Sequence, residues 1–301
     1  MRKMTAILFV LVCCVESQAT LAKLNVLTCE PEWAALAREL GGEHLKVFSA
    51  TTGVQDPHRI QARPSLIAKA RRADLLICSG AELEIGWLPI LLRKTGNNKI
   101  QVGQAGHFIA ADFVTMLGVP TLVDRSEGDI HATGNPHIHT NPHNISAVAL
   151  ALLARLQQLD SANDAAYQQR YADFKQRWHA AIARWEQQAA PLRDQPVVVQ
   201  HSSWEYLAEW LGLRQVVALE PKPGIPPSGA HLARVLKQMQ DSPAAMILYA
   251  SYQDDKPARW LASKTGIPKV GLPYTVGGIP GVDDLFALFD QTIALLVEAI
   301  P

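Results

Sequence analysis

From Asn144 to Ala190 the chain contains no glycine and is filled with Leu, Ala, Gln and Arg. Strong helix formers at that density specify helix. Ser161-Ala162-Asn163-Asp164 supplies a break and an N-cap, so the stretch reads as one helix followed by a long one that stops at Pro191. Tyr171, Trp178 and Trp185 recur at roughly helical spacing and are expected to pack rather than to form a ligand box. A long helix set between two sheet-forming halves acts as a rigid spine.

Both flanks alternate strand and helix signals. Before the spine, strands are expected at 24–28, 46–51, 73–78 and 99–102, with helices at 31–40, 64–72 and 84–95. Pro31 and Pro64 open their helices, and Gly41-Gly42 stops the first. After the spine, strands are expected at 197–200, 216–219, 244–249 and 269–272. Helices are expected at 203–211, from Ser228 to about 240, at 256–264 and at 282–300. This alternation predicts an α/β fold of two βα sandwich domains, with mostly parallel sheets, joined by the rigid helix. The expected divisions are 23–158 and 193–301 for the two domains and 159–192 for the linker helix.

The first 22 residues read differently. Met1-Arg2-Lys3 precedes an apolar run from Ala6 to Val15 and a small-residue exit at Ala19 or Ala22. That pattern is a cleaved secretory signal. Cys13 raises a lipoprotein alternative, but Val12 before it is bulkier than such processing accepts. An exported, soluble, periplasmic chain is expected. It would retain Cys29 and Cys78, each at the end of an expected strand, and these are expected to pair in an oxidising compartment. The 28 basic residues balance 28 acidic ones, which leaves no electrostatic footprint for nucleic acid or an anionic membrane.

Four of the ten histidines, His131, His137, His139 and His143, crowd into one segment rich in Gly, Pro and Asn. Imidazole is the commonest metal ligand, and Pro136 and Pro142 stiffen the backbone that carries it. In open α/β sheets ligands bind beyond the C-terminal strand ends. His58 follows the second expected strand, and His201 follows the run Val197-Val198-Val199-Gln200. With His137 they make three histidines on three loops, all expected near one face. His44, His107, His179 and His231 have no partners at useful spacing and read as structural or surface residues.

The ordered set Gln55-Asp56-Pro57-His58, Arg63-Pro64-Ser65, the run from Ala73 to Gly80, Leu83-Glu84, Trp87-Leu88, Gly134-Asn135-Pro136-His137 and the run from His201 to Leu207 resembles one family. It is similar to the metal-binding periplasmic components of zinc and manganese ABC importers, the cluster A-I solute-binding proteins of zinc-uptake type. The resemblance spans essentially the whole mature chain. It implies two βα domains joined by a long helix with the metal between them, and His58, His137 and His201 as ligands. It also implies delivery to a membrane permease driven by its ATPase, by a protein that works as a monomer. Three imidazoles favour Zn2+ over Mn2+, whose sites in this family look richer in carboxylate.

The chain departs from the family pattern twice. His139 replaces a tryptophan, and Tyr274-Thr275-Val276-Gly277-Gly278 lies where many members place an aspartate. The fourth metal position is therefore expected to hold water or a weakly bound carboxylate, with Asp254, Asp255 and His139 as the other candidates. His131, His139 and His143 read either as a metal-gathering loop or as ordinary loop residues. The segment from Asp124 to Asp129 and the loop from Pro221 to Gly229 read as flaps or as plain connections. Two rivals follow from the same residues. A zinc metallohydrolase would use the same three histidines, but His-Glu-x-x-His is absent and Glu205 is the nearest nominee for a base. A metal-dependent adhesin could share the fold.

Overall fold

The structure is a computed structural model that describes residues 22–120 and 131–300. The expected signal segment, apart from its last residue, and the acidic connection from Asp124 to Asp129 lie outside the described residues. The first sheet comprises β1 (Leu24–Thr28), β2 (Leu45–Ser49), β3 (Leu75–Cys78) and β4 (His107–Ile109), in the order β2-β1-β3-β4. The second comprises β5 (Pro196–Val199), β6 (Arg214–Ala218), β7 (Met246–Ala250) and β8 (Lys269–Leu272), in the order β6-β5-β7-β8. Every neighbouring pair is parallel. The central strands are buried on both faces, which is why they read as unbroken apolar runs rather than as alternating ones.

Helices α1 (Pro31–Gly41), α2 (Pro64–Ala70), α3 (Leu88–Thr95) and α4 (Pro142–Leu159) flank the first sheet, with Arg155 of α4 donating to His107 O of β4 at 2.9 Å. The spine is α5 (Asp164–Gln188). At 1.5 Å per residue it is about 37 Å long. Helices α6 (Glu205–Leu211), α7 (Gly229–Asp241), α8 (Lys256–Thr265) and α9 (Leu285–Glu298) serve the second sheet. Tyr167, Phe174, Trp178, Ala181, Ile182 and Trp185 form the buried stripe of α5. Trp178 meets Phe286 and Phe289 of α9 at 4.9 and 5.5 Å between ring centres, and its indole N–H donates to Pro142 O at 3.0 Å. One apolar core therefore runs from the first sheet through α5 into the second. Truncating one of these buried aromatics to alanine would cost about 3–5 kcal/mol. No helix among the described residues is long and apolar enough to cross a membrane.

Two elements of the first domain differ from expectation. The fourth strand is 107–109, not 99–102. In the apolar-looking segment only Ile100 is buried, within a 3-10 turn, whereas Val102 is 76% exposed. Helix α3 starts at Leu88 rather than at Glu84, because Glu84 is used elsewhere. Its carboxylate accepts from Ser79 N at 2.8 Å and Gly80 N at 3.2 Å, closing the turn after β3. Pro89 then sits in the first turn of α3, where its missing N–H costs nothing. At the other end of the chain Asp284 caps α9 through Ala287 N at 2.8 Å, so that helix begins later than 282.

Cys29 and Cys78 leave β1 and β3 side by side and are joined in a disulfide, with Cα atoms 4.8 Å apart. The expected pairing is present, for the expected reason of adjacent parallel strands.

Candidate metal centre between the two sheets

The C-terminal ends of both sheets face one another, and three loops bring His58, His137 and His201 together there. The ring centres are 5.4 Å apart for His58–His137, 5.7 Å for His58–His201 and 5.4 Å for His137–His201. One ligand-capable nitrogen from each lies within 4.8 Å of the others. His137 is fully buried and His201 is 5% exposed.

Each ring is oriented from behind. His58 Nδ1 donates to Asp56 Oδ1 at 2.9 Å, and the His58 backbone N–H donates to the same oxygen at 3.0 Å. Trp87 pins that loop through its indole N–H to Pro57 O at 3.0 Å. His201 Nδ1 donates to Glu220 Oε2 at 2.8 Å, and His137 Nδ1 shares a hydrogen bond with the Tyr274 hydroxyl at 2.7 Å. With Nδ1 of His58 and His201 donating to carboxylates, the Nε2 atoms of those two rings are left as lone-pair nitrogens, and Nδ1 of His137 is likewise occupied from behind. The Nε2 atoms of His58 and His137 are buried and have no hydrogen-bond partner. Imidazoles held through one nitrogen, with the other free and converging, are the arrangement in which histidines bind a metal.

The electrostatics keep the His137 ring neutral. Burial, then the neighbouring His201, His58, His139 and His131, hold His137 well below the ordinary histidine value. Burial raises Asp56, but its hydrogen bond and charge contact with His58 outweigh that, and Arg59 adds to the same direction, so the carboxylate ends below its usual range. Burial pushes the Tyr274 phenol far up, so it stays protonated.

The backbone locks the two sides of the site together. Asn135 takes the His137 backbone N–H on its Oδ1 at 2.9 Å, while its Nδ2 donates to Ser202 O at 2.7 Å and Glu205 Oε2 at 2.9 Å. The Tyr206 hydroxyl donates to Asn135 O and accepts from Leu117 N. Gly53 crosses so close to the opposite loop that a Cβ there would lie 2.3 Å from Gly277 C. An open cleft of about 330 Å³, lined by Asp56, His58, Gln200, His201, Glu220 and Tyr252 among others, leads from solvent to the cluster.

With that geometry in view, comparison with known proteins is decisive about family. The profile described as zinc-uptake complex component A, periplasmic (ZnuA), matches residues 26–299. The chain belongs to that family. The ZnuA family places it among the periplasmic metal-binding components of ABC importers, which work with a permease and an ATPase, and not among enzymes. It is 22% identical over 275 residues to the manganese ABC transporter substrate-binding lipoprotein PsaA of Streptococcus pneumoniae, covering 87% of this chain and 84% of that one. It is 24% identical over 287 residues to the iron-binding protein YfeA of Yersinia pestis, covering 93% and 86%. Among solved structures it is similar to a zinc-bound ZnuA deletion mutant, with TM-score 0.76, 20% identity and coverage of 92% and 98%. The ZnuA family thus fixes the class of cargo, while the metals named for these relatives differ.

The remaining candidates separate cleanly. His139 lies outside the converging group, on a 3-10 turn formed by 138–140. It is buried between Glu32 Oε1, 3.3 Å from Nδ1, and Tyr274 O, 2.9 Å from Nε2. His143, in the first turn of α4, faces Glu186 Oε1 of α5 at 3.0 Å. Asp254 accepts from Lys256 N, and Asp255 pairs with Arg259 and Lys269, so both serve the start of α8. Glu205, the nominee for a hydrolytic base, is half-buried and accepts from Asn135 Nδ2. The loop from Pro221 to Gly229 borders the cleft and is tied down by Gly224 N to Glu220 Oε2 at 2.8 Å. His44 packs its ring edge on Tyr167, His107 donates to Ile100 O, His231 is capped by Ser228 and His179 is exposed. The sequence reading missed two residues that matter, Tyr274 and Glu220. Both act on nitrogens of distant histidines, and no local pattern announces that.

Proposed function

We propose that this chain captures Zn2+ in the periplasm, reached through the cleaved signal, and delivers it as a monomer to its importer's permease and ATPase. His58, His137 and His201 are the ligands through Nε2, and the units are 23–158, 159–192 and 193–301. The observation that carries this reading is the set of three Nδ1 atoms held by Asp56, Tyr274 and Glu220, with one ligand nitrogen of each ring converging. Three neutral imidazoles and no carboxylate in the converging group match borderline zinc better than hard manganese. The continuous aromatic packing of α5 against α9 resists a large hinge motion, so release works through the loops that bear His58 and His201.

Competition titration of purified protein with Zn2+ and Mn2+, alongside metal analysis of protein taken from the periplasm, tests the proposal. Tighter binding of zinc, lost in His137→Ala, is expected. A preference for manganese, or wild-type affinity in His137→Ala, would overturn it.

A further inference from the structure

We propose that His131 is a fourth ligand, closing on the captured ion from the loop that precedes His137. This inference rests on the reading of His58, His137 and His201 as the primary ligands.

The ring of His131 stands beside the triad. Its centre is 5.5 Å from that of His58, within the 5.4–5.7 Å spacing of the three rings among themselves. Its Nε2 is buried and has no hydrogen-bond partner, the same condition as Nε2 of His58 and His137. Buried polar atoms are normally paired, so the unpaired Nε2 atoms of His131, His58 and His137 call for one common explanation, whereas the unbonded Nδ1 of His139 lies against the Glu32 carboxylate. A shared cation supplies it. His131 nevertheless lies outside the group whose ligand atoms converge within 4.8 Å, and its ring is tilted 33° to that of His58, where the triad rings are near perpendicular. It stands at the edge of the converging group, against His58.

The anchoring of this arm points the same way. Ala132 N donates to Glu82 Oε2 at 2.7 Å, and Gly134 N closes a turn on His131 O at 3.1 Å. Glu82 reaches Ala132 because Ala81 and Glu82 both adopt left-handed backbone, with φ of 48° and 65°. Residues with a Cβ resist that conformation, and such strain persists where the surroundings enforce it, commonly at functional sites. Here the surroundings are the Glu84 carboxylate closing the turn and the Cys29–Cys78 disulfide beneath it. A stiff first-domain turn thus holds the backbone next to His131 while leaving its imidazole free. None of the other candidates offers a fourth bond, since His139, Asp254 and Asp255 are committed elsewhere. A ligand that arrives last and leaves first also gives a transport site a route to release.

X-ray absorption on the zinc-loaded wild type and on His131→Ala, with zinc competition titration on both and on His137→Ala, tests this. Four imidazoles are expected in the wild type and three in His131→Ala, with zinc affinity lowered about tenfold or more and faster release to a chelator. Three imidazoles in the wild type, or unchanged affinity and imidazole count in His131→Ala, would overturn the assignment. If His137→Ala loses zinc while His131→Ala does not, only the fourth ligand falls. If His137→Ala keeps wild-type affinity, the three-histidine reading falls with it.

Discussion

The two sheets share one strand order, yet the segments that leave their first central strands do opposite things. After β1 come Cys29 and Glu30. The cysteine is bonded to Cys78, and Glu30 is buried against Ser79 and Glu84. After β5 come Gln200 and His201, and the histidine faces an open cleft. The first mouth is stapled shut and the second presents an imidazole. Loops from the outer strands complete the division of labour. Those after β2 and β4 supply His58 and His137, while the matching loops after β6 and β8 supply Glu220 and Tyr274, which hold His201 and His137. One half offers two of the three imidazoles and the other aims two of the three, so the site exists only where the halves meet.

The sharpest break of this division is at the imidazoles. His58→Ala, His137→Ala and His201→Ala should each lower zinc affinity by more than about 100-fold, because losing a partner behind a ligand already costs about 10–100-fold. Folding should survive, as judged by circular dichroism. Equal affinity in any of the three would remove that residue from the site.

The stapled mouth should matter to stability instead. Replacing both Cys29 and Cys78 with serine opens a loop closed across a sequence separation of 49 and should cost roughly 2–4 kcal/mol in urea unfolding. Zinc binding should persist below the lowered unfolding transition, since the triad sits on other loops. A double variant of wild-type stability would contradict the contrast.

The aiming residues come next. Tyr274→Phe and Glu220→Gln keep shape but remove or weaken the hydrogen-bond partner behind His137 and His201, and each should cost about 10–100-fold in zinc affinity. No loss in either would mean that the rings are held by packing alone.

The smallest effect concerns the buried carboxyls of the closed mouth. Burial pushes Glu84 up to about 7, against the pull of the Ser79 and Gly80 amides. Burial and the nearby Glu84 and Glu32 carboxyls drive Glu30 up as well. The folded chain thus keeps a proton that the unfolded chain releases near 4.5. This contribution to stability is complete below that value and lost as pH rises through about 7. Glu84→Gln should flatten that part of the stability curve; parallel curves for variant and wild type would refute the assignment.

Much of this architecture is legible in the chain. Buried parallel strands are apolar runs, and prolines and glycines mark the ends of α1 and α2, so the alternating pattern and the helical spine can be read directly. Strand β4 escapes because it is three residues long, and Ile100 with Val102 imitates a strand nearby. His58, His137 and His201 are legible because each follows a strand end or stands among prolines. Tyr274 and Glu220 are not, because their roles depend on loops that meet only after both sheets have formed. The tight turn at Ala81 and Glu82 is equally silent, since neither residue advertises a left-handed backbone.

The central claim is that zinc sits between the sheets on three Nε2 atoms aimed by partners from both halves. A zinc-loaded crystal structure with anomalous scattering at the zinc edge tests it most directly. The account predicts a zinc peak about 2.0–2.1 Å from Nε2 of each of His58, His137 and His201, with Asp56, Tyr274 and Glu220 still behind their Nδ1 atoms. A peak at any other group, or coordination through Nδ1 with those partners displaced, would contradict it.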